Sequence, residues 1–139
     1  MFFLQSGYTI DFLERLIEIK KTHYSCGLEA SLELIQGKWK FLVLWNLAGS
    51  PKRFGELRRL VGGISEKMLI QELKEMVADG LAIREDYQEV PPKVVYCLTD
   101  AGMSLAEACK PLCSLGNEII KREGLTVGHA SVSPAGPMY

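Results

Sequence analysis

At 139 residues, 47% hydrophobic and 24% charged, the chain can bury one core with tails to spare. No apolar run reaches the ~20 residues that cross a bilayer, and Met1-Phe2-Phe3-Leu4 lacks the length and basic flank of a secretory signal. A cytoplasmic chain with no membrane partner is expected, and its net charge of −1 does not advertise nucleic-acid binding.

Thr9 to Lys21 places Ile10, Phe12, Leu13, Leu16, Ile17 and Ile19 among charged residues, a helical period with one broad apolar face. Residues 1–25 therefore read as an N-terminal helical extension. Ser25-Cys26-Gly27 interrupts the pattern. Leu28, Leu32 and Ile35 mark a second helix, closed by Gly37. Trp39 to Leu47 predicts a third, strongly apolar helix stopped by Gly49-Ser50-Pro51.

Arg53 to Val61 follows as a short helix with Phe54, Leu57 and Leu60 facing inward and Arg58 and Arg59 outside. Gly62-Gly63 supplies the backbone freedom for a sharp turn, and Ser65 is placed to cap the next helix. That helix runs to about Ala78, with Gly80 as its stop. Its expected buried stripe is Leu69, Leu73, Met76 and Val77, opposite Ser65, Glu66, Lys67, Gln71 and Lys74. Leu81 to Tyr87 and Val94 to Leu98 read as strands flanking a Pro-stiffened tip, Glu89-Val90-Pro91-Pro92-Lys93, taken as basic. Thr99 or Asp100 caps a last helix with Leu105, Ala108, Leu112, Leu115 and Ile119 on one face. Residues 124–139 are rich in Gly, Ser and Pro and are expected to be disordered. The sum is an α+β, mainly α fold: a winged helix-turn-helix over residues 26–123 with additional helices at either end.

That layout suits DNA, because the second helix of the pair can enter the major groove while the hairpin reaches the backbone or minor groove. Charge agrees locally. Between residues 52 and 74, Lys52, Arg53, Arg58, Arg59, Lys67 and Lys74 outnumber Glu56, Glu66 and Glu72. Lys67 can meet a phosphate or a guanine edge, and Gln71 can pair with adenine. Alone, that helix would read as an ordinary amphipathic one; between a Gly-Gly turn and a hairpin, DNA binding is the better reading. Cys26, Cys97, Cys109 and Cys113 form no CxxC pair and have only His23 and His129 as partners, so free thiols and no metal site are expected. Cys97 alternates with Tyr96 and Leu98 and is expected in the core, as are Trp39, Trp45, Met68 and Met76. Glu29 and Glu33 form a carboxylate pair without a nucleophile or base beside it. Neither a cofactor nor an enzyme activity is indicated.

Gly37-Lys38-Trp39, Arg53-Phe54-Gly55-Glu56-Leu57, Gly63-Ile64-Ser65-Glu66-Lys67-Met68-Leu69, Gln71-Glu72-Leu73-Lys74-Glu75, Asp79-Gly80-Leu81, Glu89-Val90-Pro91-Pro92-Lys93-Val94 and Tyr96-Cys97-Leu98-Thr99-Asp100-Ala101-Gly102 occur in the order found in the HxlR-type family of bacterial transcription regulators. The chain resembles that family from roughly Cys26 to Gly116. The resemblance implies a homodimer on palindromic operator DNA, built by the terminal helices, with half-sites one DNA turn (roughly 34–36 Å) or a multiple apart. The DNA-contacting residues it implies are Arg53, Arg58, Ser65, Lys67, Met68, Gln71, Lys74, Pro92 and Lys93. Cys26 stands where many members have a cysteine followed by proline, used by some to sense oxidants, quinones or aldehydes. A thiol at a helix start gains from the dipole, which favours the reactive thiolate; the plainer alternative is a small buried hydrophobe. A small-molecule or oxidant inducer is thus expected, with Cys109 and Cys113 as partners for an oxidised Cys26 across the dimer or simply packing residues. Ile70 and Glu72 depart from the family pattern near the DNA-facing side, and an acid there would repel phosphate. The alternative function is a winged-helix protein-interaction module without specific DNA binding.

Overall fold

The computed structural model describes residues 23–126. The helix expected over Thr9–Lys21 and the tail beyond residue 126 lie outside the described residues. Within them the order is α1 (Gly27–Ile35), α2 (Lys40–Gly49), β1 (Lys52–Arg53), α3 (Phe54–Val61), α4 (Glu66–Ala78), β2 (Ala82–Asp86), β3 (Val94–Leu98) and α5 (Asp100–Arg122). This is the expected α+β, mainly α winged helix-turn-helix.

The core lies where α2, α3 and α4 meet the sheet. Val43 and Leu44 of α2, Leu57 and Val61 of α3, and Leu69, Leu73 and Met76 of α4 are all buried. Each fully buried leucine contributes about 2 kcal/mol by leaving water. Val77, expected in the α4 stripe, is instead 39% exposed. The buried positions step by four and three from Leu69 through Leu73 to Met76, and the next residue falls off that face. Gly80, at φ 72°, closes α4: its amide bonds the Val77 carbonyl and the Leu81 amide bonds that of Met76. That closure holds Leu81 in the turn, so the strand starts at Ala82.

The sheet has the order β1-β3-β2, antiparallel throughout. Two residues between α2 and α3 escaped the sequence reading: Lys52 and Arg53 pair with Tyr96 and Val95 as a short outer strand. Tyr96 and Leu98 pack against the core. Alternation sends Cys97, opposite Ile83, to the other face, so Cys97 is half-buried rather than a core residue.

Thr99 starts α5 by accepting from the Gly102 amide at 3.1 Å, as expected of a cap. The helix then divides. Ala101, Gly102, Ala106 and Cys109 are buried and Leu105 packs on the core. Beyond Pro111, which removes one helical donor, Leu112, Leu115 and Ile119 are 56%, 54% and 42% exposed. Leu28 and Leu32 of α1 are similarly open, at 62% and 45%.

Candidate nucleic-acid interface

The pair α3–α4 is assembled by local bonds. Glu56 accepts from the Arg53 amide at 3.3 Å, which secures the entry to α3. Gly62 and Gly63 then take φ of 61° and 77°, values that suit glycine, and the chain reverses. A Cβ on Gly63 would meet the Trp39 ring at 3.8 Å, so Trp39 packs beneath the turn. Ser65 caps α4 as expected, its hydroxyl accepting from the Met68 amide at 3.1 Å. Arg58 reaches across the turn to Glu66, 3.5 Å away, with both side chains more than half exposed. Such a pair is worth little in water and can open for a phosphate.

With its core stripe turned inward, α4 presents Lys67, Gln71 and Lys74 outward, at i, i+4 and i+7. Ile70 lies between them, 40% exposed. Arg53 and Ser65 are exposed nearby, whereas Met68 is half-buried against the core. Glu72 is not on this face. Its side chain is 14% exposed and faces the buried ammonium of Lys40 at 4.0 Å, so its charge is balanced inside the protein.

The wing is less basic than its Pro-Pro-Lys tip suggested, since Glu85, Asp86 and Glu89 outnumber Arg84 and Lys93. Arg84 lies 3.7 Å from Asp86. The Lys93 ammonium sits 4.5 Å from the centre of the Tyr87 ring, a cation–π contact across the hairpin. Tyr87 donates to Glu85 at 3.0 Å; that bond and the carboxylate's charge raise the phenol's pKa. Pro92 is exposed.

A model of the HxlR-like helix-turn-helix family matches residues 34–124. The chain belongs to that family. The HTH-type transcriptional regulator YkvN of Bacillus subtilis is 47% identical over 100 residues, spanning 72% of this chain and 85% of YkvN. The crystal structure of the B. subtilis regulator YtcD matches with a TM-score of 0.65 and 44% identity, covering 70% of this chain and 99% of that one. The redox regulator HypR in its oxidised form matches at a TM-score of 0.57 and 36% identity, covering 70% and 96%. As a member of the HxlR-like family the chain is a transcriptional regulator.

The four cysteines of this HxlR-like protein are free thiols in different settings. Cys26 is exposed at the N-cap of α1, with no capping bond from its side chain. Glu29 and Glu33 brace that helix start, accepting from the Ser25 amide at 2.7 Å and from the Tyr24 hydroxyl. Their pairing is thus architectural. Cys109 and Cys113 line an apolar groove of about 270 Å³ with Ile35, Phe41 and Leu112. Burial, and then the neighbouring Cys113, push the Cys109 thiol pKa up. Cys97 is pushed up too, by burial and then by Glu85. Among the described residues no group of three or more His, Cys, Asp or Glu is placed to hold a metal ion, and no helix is long and apolar enough to cross a membrane. The residue that sequence reasoning missed is Lys40, 4% exposed at the head of α2. Nothing local to it signals that its partners lie over thirty residues away on α4.

Proposed function

We propose that this chain is a homodimeric, sequence-specific DNA-binding regulator that lays α4 in the major groove of operator DNA. One observation carries the reading: Lys67, Gln71 and Lys74 share the outward face of a helix whose opposite face is locked in the core. Lys67 and Gln71 are the base readers, and Arg53, Arg58, Ser65 and Lys74 flank them as phosphate contacts. Met68 supports the start of the helix from the core side. Pro92 and Lys93 add a minor contribution from the wing. The competing reading, a protein-interaction module, drew on the near-neutral net charge and on Glu72 as a phosphate-repelling acid; the inward position of Glu72 removes the second of these supports. Replacement of both Lys67 and Gln71 by alanine is expected to weaken operator binding at least tenfold, each good base contact being worth roughly 1–3 kcal/mol. A footprint on the upstream intergenic DNA that survives in the double variant would move the reading surface elsewhere.

Cys26 is the thiol through which this regulator senses oxidants. Its exposure at a helix start, against the buried Cys109, supports that role, and so does likeness to a protein described as a redox regulator. A hydroperoxide transfers oxygen to the Cys26 thiolate, giving a sulfenic acid and an alcohol. A second thiol then displaces water from it to form a disulfide. Cys26→Ser is expected to leave basal DNA affinity intact and to abolish its response to diamide or quinone. A variant responding like wild type, in the same gel-shift titration, would clear Cys26 of the role. A non-reducing gel identifies whether the disulfide joins two subunits.

A further inference from the structure

A chain of polar contacts runs from the interior to the outward face of α4. Lys40 is almost wholly buried, and its ammonium donates to Glu75 Oε2 at 2.7 Å. Glu75 Oε1 in turn accepts from Gln71 Nε2 at 3.2 Å. The Glu75 side chain is 42% exposed, so one carboxylate links a buried cation to a surface amide.

We propose that Lys40, acting through Glu75, is a positioning residue that sets which way the Gln71 amide faces and so fixes the base preference of α4. The proposal rests on the reading of α4 as the DNA-reading helix. A glutamine amide is nearly symmetric in shape but not in chemistry, since one end only accepts and the other only donates. Left in water, it rotates and can meet a base edge with either end. A carboxylate is acceptor-only, so Glu75 holds the NH2 end of Gln71 and leaves its carbonyl and second N–H for a ligand. Those are the two groups that a bidentate contact to adenine requires, the carbonyl accepting from N6 and the N–H donating to N7. An ordinary Gln–Glu pair one turn apart on a helix is weak and mobile. Here the acid cannot swing away without breaking its 2.7 Å bond to a buried ammonium, whose other carboxylate neighbour, Glu72, stands at 4.0 Å. The amide is therefore ordered before DNA arrives, which lowers the entropic cost of contact.

The test is selection from a library of randomised duplexes with the full chain, using wild type, Gln71→Ala, Glu75→Leu and the double variant. Wild type is expected to enrich a motif with one position whose preference disappears in Gln71→Ala. Glu75→Leu should reduce discrimination at that same position about tenfold, with no loss of affinity for unrelated duplex. The double variant should match Gln71→Ala, because the acid has nothing left to position. Lys40→Met, if it folds, should reproduce Glu75→Leu. Full discrimination in Glu75→Leu, or an equal loss at every position, would overturn the proposal while leaving the DNA-binding reading standing. If wild type enriches no motif, or Gln71→Ala changes none, the reading of α4 or of Gln71 itself fails and takes the proposal with it.

Discussion

Gly102→Ala is expected to lower the thermal midpoint by roughly 10 °C or more, from a cost of about 3 kcal/mol. A Cβ at position 102 would lie 2.1 Å from the Leu81 carbonyl oxygen and 3.2 Å from the Leu98 Cβ. Leu81 cannot yield. The Leu81 amide bonds the Met76 carbonyl at 2.8 Å, its carbonyl accepts from the Thr99 amide at 3.0 Å, and its side chain is buried. Thr99 is itself tied to the Gly80 carbonyl and to the Gly102 amide. The start of α5, the end of α4 and the base of the wing therefore meet at one point that has no room for a methyl group. A separation of helix and strand would release several of these bonds at once. Gly55→Ala, at an open position in α3, should leave the midpoint unchanged or slightly raised. Differential scanning calorimetry of the two variants checks this, and equal midpoints would contradict the close approach.

If the chain is the proposed homodimer, Leu115→Glu is expected to leave it monomeric at micromolar concentration and to weaken operator binding by roughly 10²- to 10⁴-fold, the loss that accompanies removal of a second linked site. Leu112, Leu115 and Ile119 stand at i, i+3 and i+7 on a stretch of α5 that has left the core, each more than 40% exposed. Burying such side chains against a second copy contributes roughly 1.5–3 kcal/mol apiece. In a twofold dimer the same face comes from both protomers, so one substitution would place two unpaired carboxylates in the interface. Because Leu115 is 54% exposed among the described residues, the circular dichroism spectrum should change little. Sedimentation that still shows a dimer would place the interface elsewhere.

Much of this architecture is legible in the sequence because it depends on local rules. The Gly-Gly turn, the Ser65 cap and the Gly80 stop are each set by a few neighbouring residues, and each appears where expected. Periodicity identified the α4 core stripe but overshot at Val77, since a repeat near 3.6 does not say where a face ends. Strand alternation, applied strictly, would have turned Cys97 away from the core along with Ile83. The short β1 strand carries no signal of its own, as two residues become a strand only when β3 lies beside them. The reversed orientation of Glu72 was equally hidden, because it depends on a lysine brought in from α2. Charge on the wing is readable from composition, since Glu85, Asp86 and Glu89 surround the proline pair and Lys93.

The salt dependence of binding to the intergenic DNA upstream of the protein's own coding sequence tests DNA recognition by α4 most directly. If the proposed dimer offers three phosphate contacts per protomer, from Arg53, Arg58 and Lys74, log K should fall linearly with log salt at a slope of about −5. Lys74→Ala, which removes a phosphate contact from each protomer of the proposed dimer, should make that slope shallower by about two. Affinity that is indifferent to salt, or absent from every duplex while a protein partner is bound tightly, would contradict DNA recognition through this helix.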